Sequence, residues 1–214
     1  MIDEAKVKTI VAEVLKHIDL QDRIRPGTVP VGVSGRHIHL TQADLETLFG
    51  AGYQLKEMKK LSQPGQFAAE ECVMLVGRKG VIEKCRILGP VRPATQIEIS
   101  GTDSFTLGVP IVYRDSGDTK GTPGIIVVGP KGHVVLKEGV IVATRHVHLH
   151  TKEADKMGLK DMDRVSVKTQ GPRAVAFQNV LVRVSDKFAA DFHVDNDEGN
   201  AAGLKTGDMV EIIR

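Results

Sequence analysis

Two short stretches carry most of the chemistry that this sequence can offer. One is 35-GRHIHL-40 and the other is 144-TRHVHL-149. Each spaces two histidines two apart behind an arginine: His37 with His39, and His146 with His148. On a β-strand, side chains alternate between faces, so residues two apart share one. Two imidazoles on one face can chelate a single metal ion. A lone HxH in a strand is more often a surface pair, so the weight lies on its occurring twice in a repeated context.

The repeat extends past the histidines. RHIHL is followed by TQADLETLFGAG, and RHVHL by HTKEADKMGLKD. Further on, 96-QIEISGTDSFTLGV-109 resembles 191-DFHVDNDEGNAAGL-204. In that alignment Glu98 falls on His193, and Arg92 falls on Lys187. The repeat implies two similar supersecondary units. It also supplies a third donor to each pair, giving His37, His39 and Glu98 in one set and His146, His148 and His193 in the other. Three protein ligands with an open position is the pattern of a catalytic zinc site, whereas structural sites are closed by four.

Arginines accompany both motifs. Arg36 and Arg145 each precede an HxH, and Arg92 sits in 89-GPVRPATQIEIS-100 between Pro90 and Pro93. Prolines restrict the backbone that presents the side chain, and a planar guanidinium suits bidentate contact with phosphate. Elsewhere such a residue would be a surface arginine in a turn; six residues before a candidate ligand it reads as an anion-binding group. There is no GxxxxGK[ST] loop and no GxGxxG after a strand, so nucleotide folds of those kinds gain no support. His17, His133 and His150 lack repeated context and read as surface histidines.

The elements that must hold these residues are mostly short strands. From residue 31 onward, Val/Ile-rich runs alternate with Gly, Pro, Asp and Asn, among them 72-CVMLVG-77, 133-HVVLKEGVIVA-143, 164-RVSVKT-169 and 180-VLVRVS-185. That texture predicts a mainly β fold of small barrels or sandwiches. Two short helices are predicted at 41-TQADLETLFG-50 and 151-TKEADKMG-158, each opened by a threonine able to cap it. The first twenty residues read as an amphipathic helix, with Val7, Ile10, Val11, Val14 and Ile18 at helical spacing. Residues 21–30, with Pro26, Gly27 and Pro30, read as a linker.

Composition sets outer bounds. The 214 residues carry 29 basic against 27 acidic side chains, so no global field favours nucleic acid. The absence of Trp leaves little for base stacking. Cys72 and Cys85 form no CxxC pair and suit reduced thiols in an intracellular protein. No stretch approaches the roughly 20 apolar residues of a membrane helix. Asp3 and Glu4 stand where a secretory signal would be basic.

The strings SGRHIHL, GPVRPATQIEIS, ATRHVHLH and DFHVDNDEGNAAGL together resemble the PduL-type phosphate propanoyltransferases, or phosphotransacylases, over nearly everything from Val29 onward. That resemblance implies two similar β-barrels capped by short helices, with the first strand of the folded body joining the C-terminal barrel. The expected domains are 25–35 with 144–214, and 36–143. The expected cofactors are two zinc ions per chain, held by the two donor sets above, with Arg92 on phosphate. Ser34, Lys59, Arg86, Leu88, His193 and Asn200, with Phe105 as a stacking group, are expected on the coenzyme A side. The implied reaction is acyl-CoA plus phosphate giving acyl-phosphate plus coenzyme A, with propanoyl the expected chain. The resemblance also implies a homodimer and a cytoplasmic enzyme inside a bacterial microcompartment, with the helix at 1–20 binding shell proteins. Two rival readings share the ligands: a dizinc hydrolase of a phosphate or thioester bond, and a non-enzymatic metal-binding or shell-scaffold module. A vacant ligand position argues against the scaffold.

Overall fold

A computed structural model describes residues 27–213. The amphipathic segment at 1–20 and residues 21–26 of the expected linker lie outside the described residues. In chain order the elements are β1 (Thr28–Ser34), β2 (His37–His39), α1 (Gln42–Phe49), β3 (Glu57–Lys60), β4 (Phe67–Val76), β5 (Val81–Gly89), β6 (Gln96–Glu98), α2 (Gly101–Leu107), β7 (Tyr113–Arg114) and β8 (Ile125–Val128). They continue with β9 (His133–Leu136), β10 (Val140–Ala143), β11 (His146–Leu149), α3 (Thr151–Met157), β12 (Arg164–Lys168), β13 (Ala176–Val184), β14 (Asp191–Asp195), α4 (Asn196–Ala202) and β15 (Met209–Ile213). Residues 28–30, read as the end of a linker, are therefore strand. The fold is mainly β, and no helix among the described residues is long and apolar enough to cross a membrane.

The strands form two sheets. One is a closed barrel in the order β1-β14-β11-β13-β12-β15. The other is a nine-stranded sheet in the order β7-β10-β6-β2-β5-β4-β8-β9, with β3 paired to β4. The repeat is visible in the pairing. β2 runs parallel to β5 and antiparallel to β6, just as β11 runs parallel to β13 and antiparallel to β14. The parallel neighbour of β6 is β10, while that of β14 is β1, from the other end of the chain.

The expectation of two similar barrels needs correction, because only one sheet closes. In the barrel, β1 completes the ring by an antiparallel ladder with β15. In the other sheet the order runs from β7 at one edge to β9 at the other, with no ladder between those edges among the described residues, and Pro123 stands just before β8. Proline has no N–H to give a ladder. The start of β10 is tied to the segment before β8 by single bonds instead of a ladder, Val140 N–H to Pro123 O at 3.0 Å and Gly139 N–H to Thr122 Oγ1 at 2.9 Å. The run 133–143, read as one apolar stretch, is likewise two strands, parted at Gly139 where φ reaches 130°.

Each sheet buries one face in its own apolar core. Ile38, Leu40, Leu45, Leu48, Ile87, Ile97 and Ile99 belong to one, and Val31, Val147, Leu149, Val182, Phe192 and Val194 to the other. Strand alternation then sends the histidines of β2 and β11 away from these cores. Phe192 anchors the barrel side; it is fully buried and its ring lies 5.7 Å from Phe177. Phe192→Ala is expected to cost about 3–5 kcal/mol, read as a lower urea midpoint at an unchanged m-value.

Helix starts are fixed by side-chain caps. Thr41 caps α1 as expected, accepting from Asp44 N–H at 3.0 Å. The cap of α3 is not Thr151 but His150, whose Nδ1 accepts from Lys152 N–H at 3.1 Å while Glu153 accepts from His150 N–H at 3.1 Å. His150 thus has a local structural task that its solitary place in the sequence did not suggest. Helices α2 and α4 were not expected. Ser100 and Asp195 cap them, each in a reciprocal box with the acid three residues on, Asp103 or Glu198.

Candidate active site

The strand registers set the site. In the β2/β6 pair His37 stands opposite Glu98, and His39 opposite Gln96. In the β11/β14 pair His146 stands opposite His193, and His148 opposite Asp191. Each antiparallel pair therefore presents a square of four side chains on one face. The register reproduces the alignment of Glu98 with His193. A cleft opens between the sheets, with His37 and Glu98 on one wall, His146 and His193 on the other, and Ser34 and Thr144 beside them.

Backbone carbonyls orient the first histidine of each motif in the same way. His37 Nδ1 lies 2.9 Å from Gly35 O, and His146 Nδ1 lies 2.8 Å from Thr144 O. A carbonyl accepts, so in each ring Nδ1 carries the proton and the Nε2 lone pair is left for another partner when the ring is neutral. His37 Nε2 lies 3.5 Å from Glu98 Oε2, and His146 Nε2 lies 3.1 Å from His148 Nε2. Glu98 is braced from behind: its Oε1 accepts from Ser116 Oγ at 2.8 Å and from Gln96 Nε2 at 2.6 Å.

These donors suit a metal ion. The ligand atoms of His37, His39 and Glu98 all lie within 4.8 Å of one another. His39 Nδ1 and His148 Nδ1 are buried with no hydrogen-bond partner among the described residues, and the buried His193 Nε2 has only the Asp191 carboxylate beside it. Such orphans are costly unless something else satisfies them. Burial, with the neighbouring imidazoles and arginines, pushes His39 down to about 3, His146 to about 4 and His148 to about 2. All three are neutral at pH 7 with lone pairs available, as metal ligation requires. Burial opposes ionisation of Glu98, but His37, His39 and the Ser116 hydroxyl outweigh it and hold the carboxyl well below its usual range. His37 moves the other way; burial works against its proton, yet Glu98 and the Gly35 carbonyl raise it. The second set is less convergent, since the His193 ring stacks on His146 at 5.0 Å while its Nε2 lies 3.1 Å from Asp191 Oδ2.

Arg92 lies in the loop between β5 and β6, its backbone N–H fixed to Leu40 O at 2.8 Å. Its half-buried guanidinium makes no hydrogen bond or ion pair among the described residues. Burial lowers its proton affinity, Glu98 raises it and Arg183 lowers it further. Arg183, on β13 opposite His148, is a second guanidinium that sequence reasoning missed. It donates to Ser116 O at 3.4 Å. Its counterpart in the repeat is Leu88, so the alignment carried no signal for it; Gln96 and Ser116 were missed as well, although Gln96 lies two residues before Glu98 on the same strand face.

Arg36 and Arg145 are not free for an anion. Arg36 Nη2 and Nε lie 2.8 and 3.0 Å from Asp103 Oδ1, and Arg145 Nε lies 2.8 Å from Glu198 Oε1. Both acids are the capping-box residues of α2 and α4, so each arginine ties an HxH strand to the helix that follows the third donor. Of the residues expected on the coenzyme A side, Ser34 lines the cleft with His193, and Leu88 provides a backbone contact to His39. Arg86, opposite His37 on β5, spends Nη1 on the carbonyls of Ala69 and Glu70 at 3.1 and 2.8 Å. Lys59 on β3, Phe105 on α2 and Asn200 on α4 are exposed and make no bond to the donor cluster.

Relatives identify the class as acyltransferase. A family model described as phosphate propanoyltransferase matches residues 30–205. Curated proteins of that name are similar over most of both chains. One from Thermotoga maritima is 56% identical over 192 residues, covering 89% of this chain and 91% of the relative. One from Priestia megaterium is 47% identical over 207 residues, covering 97% and 95%. One from Lachnoclostridium phytofermentans is 46% identical over 214 residues, covering 99% and 100%. The chain belongs to the phosphate propanoyltransferase family and is a phosphotransacylase by that membership.

Proposed function

We propose that the chain interconverts a short acyl-CoA, propanoyl-CoA first among them, and phosphate with acyl-phosphate and coenzyme A, at a site that holds two zinc ions. The observation that carries this reading is the unpaired, half-buried Arg92 guanidinium beside Glu98 and the histidines. A partly buried cation with no hydrogen-bonded or ion-paired partner of its own calls for an anion, and phosphate fits a guanidinium bidentately. Arg183, opposite His148 on the barrel side and close enough to act on Arg92, adds a second positive charge for the same anion.

His37, His39 and Glu98 would hold one zinc ion, and His146, His148 and His193 the other. Zinc bound there would supply Lewis-acid charge at the reacting carbonyl or the departing sulfur. The remaining work falls to the chain. Arg92 binds phosphate and aims one oxygen at the thioester carbon. Ser116 and Gln96 hold the Glu98 carboxylate in place by hydrogen bonds. The β walls exclude bulk water, which would otherwise compete as acceptor. In the transfer an O–C bond forms, the C–S bond breaks and the thiolate leaves as coenzyme A. Phosphate dianion is itself the nucleophile, so no protein side chain need be acylated.

Ser34, Lys59, Arg86, Leu88, His193, Asn200 and Phe105 form the coenzyme A side in this reading. The exposure of Phe105, at 73%, leaves its ring open for stacking on a base. A phosphorus NMR time course tests the reaction with acetyl-, propanoyl- and lactoyl-CoA on protein of measured metal content. A new acyl-phosphate resonance matching released coenzyme A one for one, fastest with propanoyl, is the expected result; release without that resonance contradicts it.

The assembly reading extends to a homodimer and to residues 1–20, whose apolar spacing suits a peptide that binds shell proteins of a bacterial microcompartment. Deleting residues 1–20 is expected to leave turnover within about twofold while abolishing co-sedimentation with assembled shells. A truncated protein that still co-sediments would remove that role.

A further inference from the structure

The hairpin turn between β3 and β4 reaches out of its own sheet and touches the closed barrel. Gln63, 5% exposed, forms a two-way amide pair with Ala189: its Nε2 donates to Ala189 O at 2.9 Å, and its Oε1 accepts from Ala189 N–H at 3.3 Å. Beside it the Ser62 hydroxyl donates to Asp191 Oδ2. Asp191 is 2% exposed, and its carboxylate lies over Gly32 of β1, where an added Cβ would sit 3.0 Å from both oxygens. The charge faces the candidate donor set, since His193 Nε2 lies 3.1 Å from Oδ2. That nitrogen is buried and has no aligned hydrogen-bond partner among the described residues. Asp191 is the carboxylate within reach of it. The corresponding position in the other square is Gln96, which bonds the third donor there, Glu98, at 2.6 Å.

We propose that Asp191 is the positioning residue of His193, accepting its Nε2–H, and that Ser62 from the other sheet sets Asp191 for that task. A carboxylate behind a ligating histidine fixes its ring and raises its basicity. The second donor set is then completed only when the hairpin turn is docked on the barrel, so the contact between the two sheets is part of the site. This rests on reading His193 as a metal donor, and one of its tests does not involve metal.

In metal-free wild-type protein, proton NMR at high pH is expected to show a slowly exchanging downfield imidazole N–H from His193, alongside those of His37 and His146. In Asp191→Asn the His193 signal disappears and the other two remain. Its absence from the wild type, or its persistence unchanged in the variant, overturns the proposal. Competition with a chromophoric chelator supplies the second readout. Asp191→Asn is expected to lose about 10–100-fold in affinity for one zinc equivalent and not the other. Ser62→Ala should show a smaller loss at the same equivalent, restored by Ser62→Thr. Equal weakening of both equivalents, or of neither, contradicts a positioning role.

Discussion

Replacing Arg92 with alanine is expected to lower turnover by about 10²–10³-fold and to raise the phosphate concentration needed for half-saturation, with the half-saturation for acyl-CoA changed little. The magnitude is that of removing one preorganised charge from a developing oxyanion or its nucleophile. The selectivity for phosphate follows from where the guanidinium stands. It makes no bond to a protein carboxylate, so its deletion leaves no orphaned partner and should not unfold the loop. Its backbone N–H to Leu40 O, which alanine retains, is what holds the loop against β2. Arg92→Lys separates charge from geometry: lysine keeps the charge but loses the planar fork, so partial recovery of turnover with a raised phosphate requirement is expected. Unchanged phosphate saturation and turnover in Arg92→Ala would remove the residue from the anion site. Initial rates over a phosphate series provide the check.

The second large effect concerns the histidines. His37→Ala and His148→Ala are each expected to lose about one equivalent of zinc and at least about 10³-fold in turnover, since metal charge at a reacting carbonyl is worth several kcal/mol. The two variants differ in what they leave behind. His37→Ala removes the imidazole that helps hold Glu98 ionised, and leaves that buried carboxylate with Ser116 and Gln96. His148→Ala leaves His146 without its 3.1 Å neighbour but removes no counter-charge. A greater loss of stability is therefore expected for His37→Ala in the metal-free form. Elemental analysis of the purified variants, paired with rates, reads the result. Full zinc and full activity in either variant would contradict the donor assignment.

The parts of this site that were legible in the sequence are those that depend on strand period and repetition. Period two put His37 with His39 and His146 with His148, and strand alternation sent Ile38 and Val147 into the cores. The alignment paired Glu98 with His193, and the registers of β6 and β14 place both opposite the first histidine of their motif. What stayed hidden depends on long-range contact. Arg183 reaches the cluster because β13 lies parallel to β11, and its counterpart in the repeat, Leu88, is apolar. Arg36 and Arg145 were seen only to precede each HxH, because their partners lie 67 and 53 residues on, at Asp103 and Glu198. Helices α2 and α4 carry Gly, Thr, Asn and Asp, all poor helix formers, and so were missed. Their capping boxes, S-x-x-D at Ser100 and D-x-x-E at Asp195, were the available signal. Closure of only one sheet turned on which strand meets which across the chain: β1 returns to β15 in the barrel, while β7 and β9 stay unpaired with each other among the described residues.

In the proposed reaction phosphate, not water, is the acyl acceptor. The most direct test is the initial rate of coenzyme A release from propanoyl-CoA by zinc-quantified protein, measured with phosphate and with a buffer that cannot accept an acyl group. Release that saturates with phosphate and falls to the uncatalysed background without it is the expected result. Release at the same rate in the absence of phosphate would contradict it and would make the protein a thioester hydrolase built on the same donors.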